Sequence, residues 1–340
     1  MKILVTGGAG FIGSNFVRFV LRERPAWSVV NLDKLTYSGN LENLRDVEKD
    51  PRYRFVRGDV CDAELAASAA GGCDAVVHFA AESHVDRSIL DGRPFVTTNV
   101  LGTQTLLDAA RRAKVGRFLQ VGTDEVYGSL PLERAELKFT EDMALKPNSP
   151  YAASKAAADL MVRSYHKTHG LDAVVTRCSN NFGPYQFPEK VIPLFVSNLM
   201  EGRKVPLYGD GMNVRDWLHV EDHCEALLAV LERGRPGEVY NIGGDNERSN
   251  LELTRMILEA MGKGEEMIQP VADRPGHDRR YAIDATKIGR ELGWAPSRSA
   301  WPEALAGTVR WYCENADWWR RIKTGEYLAY YEKQYGAAPA

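Results

Sequence analysis

A glycine turn placed directly after an apolar run constrains this chain more than any other feature. The sequence begins Met-Lys-Ile-Leu-Val-Thr, turns through Gly7, Gly10 and Gly13, and carries Asp33 20 residues after the last of these. In a strand–turn–helix unit the first glycine permits the tight turn, the second lets the backbone approach a pyrophosphate, and the third allows close helix packing. The helix N-terminus favours phosphate, and a carboxylate at Asp33 suits both ribose hydroxyls of NAD. The sequence therefore predicts an NAD site. The neighbouring residue, Lys34, is the exception to this pattern, because a cation at that position would tolerate NADP.

The overall composition is typical of a globular protein. Of the 340 residues, 44% are hydrophobic and 26% charged, with a formal net charge of −3. A nucleic-acid-binding surface would need a concentrated basic stripe, and no apolar stretch approaches the roughly 18 residues of a membrane span. The first predicted strand leaves no room for a signal peptide, and the five scattered cysteines are typical of reduced thiols. We therefore expect a cytoplasmic protein with no nucleic-acid or membrane partner.

Strand and helix patterns alternate in the first half of the chain, as a parallel sheet requires. Apolar runs predict strands at Ile3–Val5, Val29–Leu32, Tyr53–Val56, Ala75–Phe79, Phe118–Val121 and Ala173–Thr176, and helical patterns are clearest at Thr97–Arg112 and Tyr151–His169. The predicted fold class is α/β: a doubly wound parallel sheet of the Rossmann type with a smaller, interleaved C-terminal α/β substrate lobe. Residues 1–179 and about 214–243 form the NAD-binding domain in this division, and about 180–213 and 244–335 form the substrate lobe. The tail Trp301–Ile322 is expected to be helical and to pack on the body through its tryptophans.

Tyr151 and Lys155 lie four residues apart and so face the same side of a helix. Ser149 is a plausible N-cap for that helix, and Pro150 a plausible first residue. The Lys155 charge, together with the nicotinium of bound NAD, is predicted to lower the Tyr151 pKa and to make the phenol a general base. The alternative is an ordinary surface pair, which is disfavoured by its place after a dinucleotide-binding fold.

Thr123, Asp124 and Glu125 follow the fifth predicted strand, at the sheet edge where ligands bind in open parallel sheets. Thr123 can hydrogen-bond a substrate hydroxyl and share its proton with the nearby phenol. Repulsion and desolvation separate the pKa values of adjacent carboxyls, so one can act as an acid and the other as a base. A solvated acidic loop is the alternative, and the position after a strand argues against it.

Seven motifs spread over nearly the whole chain resemble the extended short-chain dehydrogenase/reductase family, and within it the 4,6-dehydratases of dTDP-glucose. Phe182 stands where the family often has tyrosine. The triplet T-D-E is the discriminating motif, since related epimerases resemble T/S-S-x there and GDP-mannose dehydratases resemble T-S-E. The motifs are T-G-G-A-G-F-I-G (6–13), A-A-E-S-H-V-D-R-S (80–88), T-D-E (123–125), Y-x-x-x-K (151–155), S-N-N-F-G-P-Y-Q-F-P-E-K (179–190), R-D-W (215–217) and D-R-P-G-H-D (273–278).

The resemblance implies a redox-neutral reaction in which NAD stays bound. Tyr151 would take the proton of the sugar 4-hydroxyl while hydride moves from C4 to NAD. Glu125 would then remove the C5 hydrogen, and Asp124 would protonate the departing C6 hydroxyl so that water leaves. Return of the hydride to C6 would give a 4-keto-6-deoxy sugar, with dTDP-glucose as the implied substrate.

The resemblance also implies the residues that bind the two ligands. Ser83 would touch the sugar, Lys155 the nicotinamide ribose, and the arginine forks suit phosphate. NAD would lie against Phe11, Ile12, Asp59, Val60, Thr98 and Asn181 beside the glycine turn and Asp33. The nucleotide sugar would lie against Thr123, Asn180, Lys190, Val191, Pro206, Tyr208, Arg215, Asn250, Arg274 and His277 in what becomes a nucleotide-sugar-binding lobe. A homodimer through the Thr97–Arg112 and Tyr151–His169 helices is implied as well.

Three alternative functions predict different uses of the candidate catalytic residues. Another nucleotide-sugar 4,6-dehydratase would keep the same machinery, whereas a 4-epimerase would leave Asp124 and Glu125 without a task. A non-catalytic NAD-sensing regulator has no need of Tyr151 or Lys155. A metal is not expected, because the i, i+4 pair His219 and His223 lacks an obvious third ligand.

Overall fold

The computed structural model describes residues 1–324 together with Tyr327 and Tyr331. The parts of the predicted lobe at 325–326, 328–330 and 332–335 therefore lie outside the described residues. The strands are β1 (Lys2–Thr6), β2 (Ser28–Asp33), β3 (Tyr53–Arg57), β4 (Ala75–His78), β5 (Arg117–Thr123), β6 (Ala173–Cys178), β7 (Asn180–Phe182), β8 (Val205–Tyr208), β9 (Val214–His219), β10 (Val239–Ile242), β11 (Glu247–Ser249) and β12 (Ile268–Val271). The α-helices are α1 (Phe11–Glu23), α2 (Ala63–Ala70), α3 (Val85–Leu90), α4 (Arg93–Phe95), α5 (Thr103–Arg112), α6 (Pro150–His169), α7 (Val191–Met200), α8 (Val220–Arg233), α9 (Asn250–Ala260), α10 (Thr286–Leu292), α11 (Glu303–Glu314) and α12 (Ala316–Ile322).

The main sheet has seven strands in the order β10-β6-β5-β4-β1-β2-β3, and every neighbouring pair is parallel. The chain builds outward from β1 through β2 and β3, then returns to β4 on the opposite side. This reversal leaves a crevice beyond the carboxyl ends of β1 and β4, where ligands bind in such sheets.

Both faces of the main sheet are covered by helices, which explains why its strands are continuous apolar runs rather than alternating ones. Ile3 and Val5 on one face of β1 belong to a core formed with α1 and α8. Leu4 on the other face belongs to a second core formed with α2, α5 and α6. The predicted doubly wound α/β class is confirmed.

The smaller lobe contains a three-stranded sheet, β11-β9-β7, and a two-stranded sheet, β12-β8. A third core joins Trp217 of β9 to α7, α9, α11 and α12. The predicted division assigns residues 214–219 to the NAD-binding domain, whereas β9 pairs with β7 and β11. The next elements, α8 and β10, rejoin the main fold, so the two parts are interleaved; the domain boundaries themselves stay a prediction.

Local signals define several helices. The Ser149 hydroxyl accepts a hydrogen bond from the Ala152 N–H at 3.1 Å and caps α6, as its sequence position predicts. A π-helical segment, Val96–Gly102, leads into α5 and replaces the regular helix expected there. The predicted tail helix is two helices, because the chain leaves helical geometry at Asn315. Among the described residues, no helix is both long and apolar enough to cross a membrane.

Candidate active site

A cleft lies at the carboxyl ends of the main sheet, in the crevice between β1 and β4. All the residues predicted to bind the cofactor line it, namely Gly7, Gly10, Phe11, Ile12, Gly13, Asp33, Lys34, Asp59, Val60, Thr98, Tyr151, Lys155 and Asn181. The predicted catalytic residues Thr123, Asp124 and Glu125 line it too. The fold thus brings these residues together, and their roles stay predictions.

The glycine turn has the shape of a phosphate cradle. Gly7 has φ +72°, and a Cβ there would lie 2.6 Å from the Ala80 nitrogen. A Cβ on Gly13 would lie 2.3 Å from the Gly7 oxygen, so both positions exclude a side chain. Gly10 is the N-cap of α1 and provides no side-chain cap, so the first N–H groups of the helix are available to an anion.

The Asp33 carboxylate is fixed at the end of β2. Its two oxygens accept hydrogen bonds from the Ala9 and Leu35 N–H groups, each at 2.8 Å. Burial raises the pKa of Asp33, and these two hydrogen bonds oppose the rise. The Lys34 ammonium lies 2.7 Å from a carboxylate oxygen of Asp59, and that hydrogen bond raises the Lys34 pKa. Because Lys34 is paired in this way, the site suits a ribose with free hydroxyls and fits NAD.

Tyr151 and Lys155 are both buried on α6, beside the end of β5. The Lys155 Nζ donates to the Val121 carbonyl at 2.7 Å, and burial lowers the pKa of Lys155. Burial raises the pKa of Tyr151 well above its ordinary value, Glu125 raises it further, and a hydrogen bond with Thr123 opposes the rise. In the protein alone, burial therefore sets the direction of the Tyr151 pKa, and its predicted lowering by Lys155 together with the charge of bound NAD stays a prediction.

Asp124 lies in the interior rather than in a solvated loop, with 1% of its surface exposed. Its Oδ1 is 3.4 Å from the Thr123 hydroxyl, and its Oδ2 has no hydrogen-bond partner within the described part of the chain. Burial raises its pKa well above the ordinary value, and the negative charges of Glu125 and Asp216 add to this. The environment of Asp124 therefore favours the protonated carboxyl.

Glu125 is half-buried and faces the cleft. Burial raises its pKa, but Arg274, Lys190 and Arg215 all oppose that rise. Burial raises the pKa of both adjacent carboxyls, but the charges around them differ: Glu125 and Asp216 add to the rise at Asp124, whereas three cations oppose the rise at Glu125. This is the separation that an acid–base pair requires.

The residues predicted to bind substrate form two groups. Ser83, Asn180 and Lys190 line the cleft with Thr123, and the Lys190 ammonium donates to the Ser83 carbonyl at 3.2 Å. The remaining seven, which do not line this cleft, are Val191 at the start of α7, Pro206 and Tyr208 in β8, Arg215 in β9, Asn250 at the start of α9, and Arg274 and His277 in the loop after β12.

Three members of the second group lie together beside Asp86 of α3. Arg274 and Tyr208 approach opposite oxygens of Asp86, at 3.2 and 3.4 Å. The Tyr208 and His277 rings have centroids 6.1 Å apart. The Arg274 Nε is buried without a hydrogen-bond partner among the described residues. A buried guanidinium donor left open is the feature expected where a phosphate binds.

Other cleft residues were not singled out from the sequence. Gln186 and Glu189 lie inside the 179–190 motif, so the family resemblance could have identified them. No motif covers the lining residues of the loop after β2. The additional lining residues include Thr36, Ser38, Gly39, Gly58, Glu82, Cys178, Ser179, Gln186, Phe187 and Glu189.

His223 has a supporting function that its spacing did not predict. Its Nδ1 lies 2.9 Å from the Asn181 side-chain oxygen, so a neutral ring donates there and fixes the amide at the cleft. Burial lowers the His223 pKa to about 3, which keeps the ring neutral. Within the described residues, no group of three or more histidine, cysteine, aspartate or glutamate side chains could hold a metal ion.

Comparisons with known proteins give a consistent result. The family model described as GDP-mannose 4,6 dehydratase matches residues 4–301. A dTDP-glucose 4,6-dehydratase from Streptomyces niveus is 56% identical over 328 residues, which are 95% of this chain and 96% of that protein. The dTDP-glucose 4,6-dehydratase 1 of Escherichia coli K12 is 49% identical over 360 residues, covering 98% and 99%. The crystal structure of DesIV, a dTDP-glucose 4,6-dehydratase from Streptomyces venezuelae with NAD and a second ligand bound, has 56% identity and a TM-score of 0.92, covering 95% of this chain and 100% of that one.

Replacing Asp124 by asparagine should stabilise the protein at neutral pH. The raised pKa means that the folded state keeps a proton that the unfolded chain, with a carboxyl pKa of about 3.9, releases as the pH rises. The stability of the original protein therefore falls relative to Asp124→Asn above about pH 4, by up to about 1.4 kcal/mol per pH unit. Urea unfolding at pH 4.5 and 7.5 measures this, with Asp317→Asn as the control because that side chain is 88% exposed. A stability difference independent of pH would show that Asp124 is ionised in the fold.

Proposed function

Because the chain belongs to the NAD-dependent epimerase/dehydratase family, we propose that it dehydrates dTDP-glucose to dTDP-4-keto-6-deoxyglucose. The observation that carries this activity is the pair of adjacent carboxyls with opposite environments, beside a buried tyrosine. Elimination of water across C5 and C6 needs one base and one acid, which Glu125 and Asp124 supply. A 4-epimerase needs neither, because it only reverses the configuration at C4.

The phosphate cradle and Asp33 would hold NAD. The N–H groups at the start of α1 would face the pyrophosphate, and the Asp33 carboxylate would take the ribose hydroxyls. The Asn181 amide, fixed by His223, lines the same cleft. NAD supplies a hydride acceptor for C4 and, once reduced, a hydride donor for C6. It is consequently a recycled cofactor of a hydro-lyase.

Tyr151 removes the proton of the sugar 4-hydroxyl. Its burial makes the phenolate costly, so the phenol gives up its proton only when positive charge is added beside it. The Thr123 hydroxyl, hydrogen-bonded to that phenol, also orients the sugar 4-hydroxyl. Lys155, whose ammonium donates to the Val121 carbonyl, would contact the nicotinamide ribose.

The two carboxyls perform the elimination. Oxidation at C4 acidifies the C5 hydrogen, and Glu125, kept ionisable by three facing cations, removes it. Asp124 retains its proton because it is buried among negative charges, and it delivers that proton to the C6 hydroxyl as water departs. The leaving hydroxyl therefore never departs as hydroxide.

The diphosphate of the nucleotide lies between the cleft and the smaller lobe. Arg274, Arg215 and Lys190 act on Glu125 from that side, and the open Nε of Arg274 gives an oxygen of the diphosphate a buried donor. The remaining predicted substrate residues, Tyr208, His277, Asn250, Pro206 and Val191, border the same side and would contact the nucleoside.

The protein is a homodimer in this proposal, and it functions in the cytoplasm. Large apolar side chains are exposed on the helical face that includes α3, α6 and the π-helical segment: Leu90 at 53%, Val96 at 59%, Leu101 at 49% and Leu160 at 56%. A second copy covering this face would remove them from water. Five free cysteines fit a reducing compartment.

Product analysis with three nucleotide sugars tests the activity. Incubation with dTDP-glucose should give a 4-keto-6-deoxy product without added oxidant, while UDP-glucose and GDP-mannose should react much more slowly. Formation of dTDP-galactose would identify an epimerase instead. NAD binding with no conversion of any sugar would favour the regulator.

A fluorinated substrate distinguishes the two carboxyls. Glu125→Gln should oxidise the substrate and accumulate bound NADH but fail to exchange the C5 hydrogen with heavy water. Asp124→Asn should exchange C5 yet expel the C6 hydroxyl at least about a hundredfold more slowly, the usual contribution of general acid catalysis. Replacing that hydroxyl by fluoride, which leaves without a proton, should restore elimination in Asp124→Asn alone. Rescue of Glu125→Gln instead would interchange the roles.

A further inference from the structure

The C-terminal helix α12 contacts a short 3-10 helix, Leu41–Leu44, that lies beside the glycine turn. The Trp318 indole nitrogen donates to the Asn43 side-chain oxygen at 2.9 Å, and both residues are buried. One turn further on, the Arg321 guanidinium donates to the Glu42 carboxylate at 3.0 Å. Two neighbouring residues of the 3-10 helix are therefore held by one tail helix.

Asn43 connects the tail to the cofactor cradle. Its amide nitrogen donates to the Ala9 carbonyl at 2.9 Å, and the Asn40 N–H donates to the same oxygen at 3.0 Å. Ala9 lies within the glycine turn, and its own N–H donates to Asp33 Oδ2 at 2.8 Å. Hydrogen bonds thus lead from the tail indole through the buried Asn43 amide to the Ala9 carbonyl, and the N–H of the same residue binds Asp33, the carboxylate expected to take the ribose hydroxyls.

The chemical nature of this series favours a positioning role over simple packing. Packing of α12 would need only an apolar ring at position 318, and Tyr185 does provide a ring contact, with centroids 5.7 Å apart. The indole N–H instead fixes the Asn43 amide so that its nitrogen, not its oxygen, faces Ala9. The bonds of the Asn43 amide to Trp318 and Ala9 therefore fix the position of the residue whose N–H binds Asp33.

We propose that Trp318 is a positioning residue for the dinucleotide: through Asn43 and Ala9 it holds the glycine turn and the Asp33 carboxylate in their NAD-binding arrangement. The tail then controls how long the cofactor is retained and has no part in the chemistry. The inference rests on the proposed function only in that NAD is the resident dinucleotide. Long retention matters for a cofactor that must receive and return the same hydride.

Two neighbouring tryptophans provide a matched test. Trp318→Phe keeps a ring but removes the bond to Asn43, and Trp319→Phe removes an equally buried indole bond, made to the Tyr312 carbonyl at 3.0 Å within the tail. NAD alone is the probe, measured by titration and by its dissociation rate. Trp318→Phe should weaken NAD binding by roughly three- to tenfold, the factor one neutral hydrogen bond contributes, through faster dissociation. Trp319→Phe should leave both values unchanged.

Combining Trp318→Phe with Asp33→Ala tests whether Trp318 acts on NAD binding through the Asp33 carboxylate. If Trp318 acts through the carboxylate, Trp318→Phe should have little further effect on NAD affinity once Asp33 is absent. An undiminished effect in that background would contradict the proposed route. Equal losses of affinity in Trp318→Phe and Trp319→Phe would show a merely structural role and overturn the proposal.

Hydrogen exchange on the unmodified protein gives a readout that requires no variant. Coupling between two sites is reciprocal, so NAD must slow amide exchange in α12 more than in α11. Equal protection of the two helices, or none, contradicts the proposal. Failure of the unmodified protein to bind NAD would instead overturn the proposed function, which distinguishes the two.

Discussion

The reversal of strand order between β1 and β4 is the constraint on which the site depends. It opens a crevice where the carboxyl ends of β1, β2, β4 and β5 converge, so that the glycine turn, Asp33 and Thr123 line one cleft. The same parallel sheet must be apolar on both faces, and this commits the first half of the sequence to buried strands. Polar functional side chains are thereby restricted to the ends of the strands, where they lie close together.

Burial then gives similar side chains different functions. Asp124 and Glu125 are neighbours in sequence, yet one carboxyl lies inside the protein and the other faces Arg274, Lys190 and Arg215. These three cations oppose the rise in the Glu125 pKa. In the function that we propose, the same charges would also bind the diphosphate, so that substrate recognition and acid–base chemistry would be linked.

Local signals made much of this predictable from the sequence. The glycine turn, the alternation of strands and helices and the cap at Ser149 depend on nearby residues, so the main sheet could be predicted. The residues expected to bind NAD do line the cleft, and their binding roles stay predictions. The pKa of Tyr151 in the protein alone could not be predicted, since it depends on how deeply the fold buries the phenol. The pairing of β9 with β11 and the contact of Trp318 with Asn43 join distant segments, and no periodicity encodes such contacts.

In the proposed reaction, the electrons removed from C4 return to the same sugar. dTDP-glucose deuterated at C4 tests this return, with the product examined by NMR and the solution monitored for free NADH. We expect deuterium at C6 of the 4-keto-6-deoxy product, one solvent-derived hydrogen at C5, and no release of NADH. Deuterium retained at C4 or lost to solvent would contradict the proposed reaction.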